Sequence, residues 1–284
     1  MLAGYFDAAG DNSAEHAITV GGYLAPCRSW SRFRRDWQRV LDQHGIAVFH
    51  MTDFMAGRPP FGKWRDRPQD QMALLELLAR VIIRHTHFSA ATTVLLDDWR
   101  TVNKEYSLKE CRATPYCMAA FKVIDKSIQW IKREHPHDAI HEFGFEAGDI
   151  GFGDLLAWMD WVRELAPKGS LDAVAPVRKP KTLQPLQAAD FASWEQRYTA
   201  VKRAQGLEWD FRPSMASLLK VEHEWGVTKK ENIIELCERF GVPKRDPSCR
   251  LSQRERATWR PAPFAARKRA LQASKRLPRG AGSR

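Results

Sequence analysis

The sequence predicts an α/β fold with a mixed sheet flanked by helices, and three observations predict it. Two short strand-like runs open the chain, and further strands then alternate with amphipathic helices, an order that suits a mixed sheet better than a bundle or a sandwich. The 284 residues are 44% hydrophobic, enough for a sizeable core. No internal repeat or mid-chain linker interrupts the pattern, which divides into a core over 1–205, a helical extension over 206–243 and a flexible basic tail over 244–284.

Leu2 to Asp7 is an apolar run ending in the turn-rich Ala8-Ala-Gly-Asp-Asn12, and His16 to Leu24 carries Ile18, Val20 and Tyr23, so the two read as a hairpin. Ser29 to His44 places Trp30, Phe33, Trp37, Val40 and Leu41 at helical spacing with arginines between them, and Gly45 stops that helix. Ile46 to Met51 reads as a brief strand, Thr52 to Arg67 as turns, Gln69 to His85 as a helix and Phe88 to Leu96 as a strand. Thr114-Pro115 is an N-cap and first-turn pair opening a helix to Glu134. Ala139–Phe145 and Leu171–Val177 read as strands, Phe152–Leu165 and Leu183–Ala204 as helices, with further helical pieces near Pro213–Val221 and Lys229–Phe240.

Charge and composition narrow the function classes. The net charge is +11, and residues 244–284 alone hold 13 Lys and Arg against Asp246 and Glu255, so the tail carries the whole excess. Such an arm suits nucleic acid, whose counterions it would displace, and equally a solvated tail. The five Cys, at 27, 111, 117, 237 and 249, form no CxxC pair, which argues against a disulfide framework and a zinc ribbon and for a reducing, cytoplasmic setting. Met1 to Asp7 has no basic signal region, and Met72–Ile83 is broken by Glu76 and Arg80, so no membrane partner is expected. The oligomeric state leaves no mark in the sequence.

The strongest chemical signal is a set of acids at element ends. Asp7 closes the first strand, Glu146 ends a later one in Phe143-Gly-Phe-Glu-Ala-Gly-Asp149, and Asp190 lies on the apolar helix Leu186-Gln-Ala-Ala-Asp-Phe-Ala192. A carboxylate packed among alanines against a sheet is costly without a cation, and a divalent metal can hold several at once. Converging acids of this kind suit Mg²⁺ or Mn²⁺ and phosphoryl chemistry, two ions about 4 Å apart activating water and stabilising the leaving oxygen. Each acid also has a structural reading: Asp7 as a turn residue, Glu146 and Asp149 as caps of the helix near Gly151, Asp190 as the partner of a nearby Arg or Lys.

Four strings carry a family resemblance. Tyr5-Phe-Asp-Ala-Ala-Gly-Asp11 resembles the opening Asp-Glu-Ser-Gly-Asp of the bacterial family catalogued as domain of unknown function 3800, and Phe49-His-Met-Thr-Asp-Phe54, Phe145-Glu-Ala-Gly-Asp149 and Leu186-Gln-Ala-Ala-Asp190 resemble its later motifs, over roughly residues 2–200. The resemblance implies a ribonuclease H-like fold whose acids are similar to those of Holliday-junction resolvases and transposases. It assigns Asp7, Glu146 and Asp190 to metal, with Asp149 as a fourth, and implies a metal-dependent nuclease of a mobile-element or defence system. One departure matters: Ala8 and Ala9 stand where the family has Glu-Ser, which fits a weak or inactive nucleic-acid- or partner-binding module.

Three further features complete the reading. His50 with Asp53 could bring an imidazole beside the acids as a proton shuttle, or be a hydrogen-bonded strand-end pair. Gly57-Arg-Pro-Pro-Phe-Gly-Lys63-Trp64 imitates a phosphate loop but lacks the hydroxyl after the lysine, and its prolines remove backbone N–H groups. Lys63 and Arg65 in this loop, and Arg267, Lys268 and Arg269 in the tail, are the candidate nucleic-acid contacts. The histidines at 135, 137 and 141 fit no zinc spacing.

Overall fold

The strand order β5-β4-β1-β2-β3-β6 builds a six-stranded mixed sheet with helices on both faces. The computed structural model describes residues 1–10, 16–165, 176–207 and 210–245. The strands are β1 (Leu2–Ala9), β2 (Ala17–Pro26), β3 (Phe88–Leu95), β4 (Ile140–Glu146), β5 (Pro176–Lys179) and β6 (Glu222–Thr228). β1, β2 and β3 run antiparallel in succession, while β4 lies parallel to β1, β5 parallel to β4, and β6 parallel to β3. The helices are α1 (Cys27–Gln43), α2 (Met51–Met55), α3 (Pro68–His85), α4 (Leu96–Glu105), α5 (Pro115–Glu134), α6 (Phe152–Leu165), α7 (Gln184–Ala204), α8 (Pro213–Leu218) and α9 (Lys230–Phe240).

Period-2 alternation divides the core into two layers. Phe6, Val20, Phe88, Phe143 and Phe145 face α5, α6 and α9, packing with Ile124, Trp158 and Phe240. Ala3, Tyr23 and Ala25 face the opposite way, against α1, α3 and α7, with Trp30, Trp37, Leu78 and Phe191. Asp7 has the parity of Ala3 and Tyr5, so it points toward α7. α7 lies across β1 and β2, and Gly21, paired with Asp7, permits the approach: a Cβ there would stand 3.3 Å from the Ser193 backbone and 3.1 Å from the Ala91 Cβ.

Most expected elements are present to within a residue or two, and Thr114 caps α5 by accepting a hydrogen bond from the Cys117 N–H. Four differences have physical causes. Ile46–Met51 is not a strand, because the Phe49 and Met51 N–H groups donate to side chains of α7 instead of a neighbouring strand. The 206–243 segment is not wholly helical: Glu222–Thr228 completes the sheet as an edge strand that opens on the polar Glu222, His223 and Glu224 and packs Trp225 against the core. α4 was not foreseen; Asp97 and Asp98 in its first turn favour the helix dipole where the strand reading stopped. Of the expected strand Leu171–Val177, residues 171–175 lie outside the described residues and β5 begins at Pro176. The tail beyond Arg245, with Arg267, Lys268 and Arg269, also lies outside them. Among the described residues, no helix is long and apolar enough to cross a membrane.

Candidate metal centre

Parallel pairing brings two of the acids together. Phe6 pairs with Phe145, so Asp7 and Glu146 follow side by side at the carboxyl ends of β1 and β4, where their strands open a crevice. The chain then turns through Ala147 to Asp149, and ligand oxygens of Asp7, Glu146 and Asp149 all lie within 4.8 Å of one another. Gly151 makes the turn possible: its φ of +110° is one that side chains rarely adopt, and a Cβ would press on Tyr116 at 3.0 Å. That packing aims the Tyr116 hydroxyl at Asp149, to which it donates at 2.9 Å.

Asp190 closes the site from the α7 side and lines the same cavity, of about 540 Å³, as His50, Glu146, Asp149, Lys181 and Arg197. Its Oδ2 accepts the Met51 N–H at 2.6 Å. One turn earlier, the Gln187 carbonyl oxygen accepts from the Phe49 N–H at 2.9 Å and the Trp37 indole at 3.0 Å. Two side chains of α7 thus hold the backbone on either side of His50. Gln187→Leu is expected to leave two buried donors unpaired and cost about 3 kcal/mol, read as a lower urea midpoint at unchanged slope.

The His50 Nδ1 lies 2.6 Å from Asp53 Oδ2, and that hydrogen bond holds the Asp53 carboxyl below its ordinary value. The ring is therefore oriented, and His50 reaches the cavity wall.

The electrostatics are those of too many carboxylates for the cations present. Burial, then Asp190, Asp149 and Glu146, push the Asp7 carboxyl well above the usual carboxylate range, against Lys181. Burial also pushes Asp149 up to about 7, with Glu146 and Asp190 adding to it and the Tyr116 hydroxyl and Lys181 opposing. Asp190 is raised by burial, against His50 and the Met51 N–H. Lys181 Nζ stands 3.7 Å from Glu146 Oε2. A cluster of three or four hard oxygen donors with one lysine beside it is a donor set that Mg²⁺ or Mn²⁺ fits.

No family model, curated protein or solved structure matches this chain.

The structural readings of the acids fare unevenly. Asp7 accepts the Ala8 N–H at 2.8 Å, a local bond that leaves its second oxygen to the cluster. The Asp149 side chain serves Tyr116, while its backbone carbonyl accepts from Phe152. Asp190 takes a backbone N–H instead of the expected cationic partner. Lys63 and Arg65 do not line the cavity: Lys63 donates to the His44 carbonyl at 2.6 Å and Arg65 to the Gly57 carbonyl at 3.2 Å. Trp64 beside them is buried against Phe54 and Phe61, so its ring is not offered to a base. The cations that do line the cavity, Lys181 and Arg197, were missed; the signals available were the basic run Arg178-Lys-Pro-Lys181 before α7 and the two-turn spacing of Arg197 from Asp190.

Proposed function

We propose that this protein is a metal-dependent nuclease with a ribonuclease H-like core, related to the domain of unknown function 3800 family. The observation that carries the proposal is the convergence of Asp7, Glu146 and Asp149 within 4.8 Å of one another, with Asp190 on the wall of the same cavity. The acids come from the first strand, the end of a later strand and a late helix, the distribution that the resemblance implies. Mg²⁺ or Mn²⁺ bound by Asp7, Glu146 and Asp149 would activate water and stabilise negative charge on the leaving oxygen.

The chain's own residues supply the remaining roles. Lys181 and Arg197 on the cavity wall bind the phosphate, placing it against the carboxylates. Water attacks phosphorus as the P–O bond to the leaving oxygen breaks; the attacking water loses a proton to solvent, and His50, held in place by Asp53, gives a proton to the leaving oxygen. Asp190 keeps His50 at the wall by anchoring the Met51 N–H.

A second reading has its own observation. Ala8 and Ala9 line the cavity where the family has Glu-Ser, so a binding module with a weakened or silent site is the alternative. The test is a panel of labelled single-stranded DNA, duplex DNA, RNA and hybrid incubated with Mn²⁺, Mg²⁺ or EDTA, with Mn²⁺ binding followed in parallel by calorimetry. Cleavage in metal and none in EDTA is the expected result. Mn²⁺ binding without cleavage of any substrate would establish the binding module in place of the nuclease, and no Mn²⁺ binding at all would overturn the metal centre.

A further inference from the structure

On the nuclease reading above, we infer that single-stranded nucleic acid reaches the carboxylate cavity along a track of aromatic and cationic side chains on α7, with Phe211 and Arg212 beside it. The track begins at the cavity. Asp190 and Arg197, two turns apart on α7, both line it, and Trp194 and Tyr198, four residues apart, lie along the adjoining, more exposed stripe of the same helix. The Trp194 and Tyr198 rings stack on each other, with centroids 5.4 Å apart and planes within 7°. The Arg212 guanidinium lies over both, 5.1 Å from the Trp194 ring and 5.6 Å from that of Tyr198.

Arg212 also ties the track to the site. Its Nη2 contacts the Met55 sulfur at 3.3 Å, and Met55 ends the short helix α2, whose first turn contributes Thr52 to the cavity wall. On its inner side, Arg212 Nε faces Glu195 Oε1 at 3.3 Å, and Glu195, wholly buried, also accepts from the Ser214 hydroxyl at 2.6 Å. The guanidinium plane is therefore fixed over the rings. Away from the cavity the same chemistry continues: Lys202 lies 5.8 Å from the Tyr198 ring, and Arg203 lies 5.7 Å from Phe211.

The rings are offered to solvent, Tyr198 at 37% and Phe211 at 43% exposure. Part-exposed aromatic side chains interleaved with Arg and Lys suit the alternation of bases and phosphates in a single strand, where each stacked base is worth a large factor in affinity and every base has a π-face. A duplex keeps its bases inside and would have no use for the rings. The occupant that fits both the charge and the rings is an unpaired strand.

The test measures binding in EDTA, which separates the track from the metal centre. Full-length protein is titrated into fluorescein-labelled dT12 and into a 12-base-pair duplex, and anisotropy is followed at several salt concentrations. Wild type is expected to prefer dT12. Tyr198→Ala is expected to weaken dT12 binding about tenfold or more while duplex binding is unchanged, and Tyr198→Phe is expected to retain it. Lys202→Gln is expected to lower the salt slope for dT12. Melting curves of each variant exclude a folding defect, since Tyr198 and Lys202 lie at the surface end of α7. Equal dT12 affinity in wild type and Tyr198→Ala, or a wild-type preference for duplex, overturns the track. Loss of dT12 binding in Tyr198→Ala from a protein that cleaves nothing would leave the track standing and the nuclease reading refuted.

Discussion

Asp7→Asn is expected to lose cleavage by at least about 1,000-fold and, in the same protein without metal, to raise the melting temperature at pH 7.5. Both effects follow from the crowding of carboxylates around one buried position. Asn keeps the hydrogen bond from the Ala8 N–H and nearly the same volume, so the fold has no reason to change. It removes the negative charge that Asp190, Asp149 and Glu146 oppose, along with a ligand oxygen.

The pH dependence has a definite sign. Asp7 and Asp149 bind protons more tightly in the native state than in the unfolded chain, so their contribution to stability is full below the ordinary carboxylate range. It is lost as pH rises through the native value, which for Asp149 is about 7. In EDTA the wild-type melting temperature is expected to fall between pH 5 and pH 8, Asp149→Asn to flatten that fall, and Mn²⁺ to restore stability at pH 7.5 by mass action. Scanning calorimetry across this range checks all three; a wild type equally stable at pH 5 and pH 8 without metal would contradict the crowding.

Gly21→Leu is expected to be strongly damaging to the contact between β2 and α7. The new Cβ alone would stand 3.1 Å from the Ala91 Cβ and 3.3 Å from the Ser193 Cα and N, and two of these three neighbours are backbone of α7. Overpacking of this kind costs about 3 kcal/mol, which in a chain of this size lowers the melting temperature by about 10 °C. Displacing α7 also draws Asp190 from Asp7, so weaker Mn²⁺ binding is expected beyond the loss of stability. Gly21→Ala, with no branch to drive the helix outward, is expected to fall between the two. A Gly21→Leu protein that melts with the wild type would show that α7 does not rest on this strand.

The sequence made much of this legible for reasons that can be stated residue by residue. α1 announced itself because Trp30, Phe33, Trp37 and Leu41 recur at helical spacing and all four are buried. The acids were readable because a carboxylate in Leu186-Gln-Ala-Ala-Asp190 has no cheap place in an apolar helix. β6 was not readable, since Glu222-His-Glu-Trp-Gly-Val-Thr228 sits at an edge and shows neither apolar alternation nor a continuous hydrophobic run. The weight of Asp149 over Asp190 in the tightest cluster was also hidden. It depends on the turn at Gly151 and on Tyr116, thirty-three residues upstream, neither of which leaves a local pattern. Segment 46–51 read as a strand because its apolar residues fit one, while its hydrogen-bond partners lie on a helix far along the chain.

The position of β1 in the sheet has a bearing on how the molecule is made. It lies between β2, its immediate successor, and β4, whose residues pair with it only from Ile140 onward. During synthesis the β1–β2–β3 meander can form early, but β1 then presents a bare edge until β4 emerges, and Asp7 faces no α7 until Asp190 has followed. The carboxylates of Asp7, Glu146 and Asp149 can meet only once residue 149 has been made, and until then the nascent chain must protect an unpaired central strand by other means. Placing the earliest strand at the middle of the sheet leaves its edge open longest, so a stall of elongation between residues 100 and 140 is expected to favour aggregation.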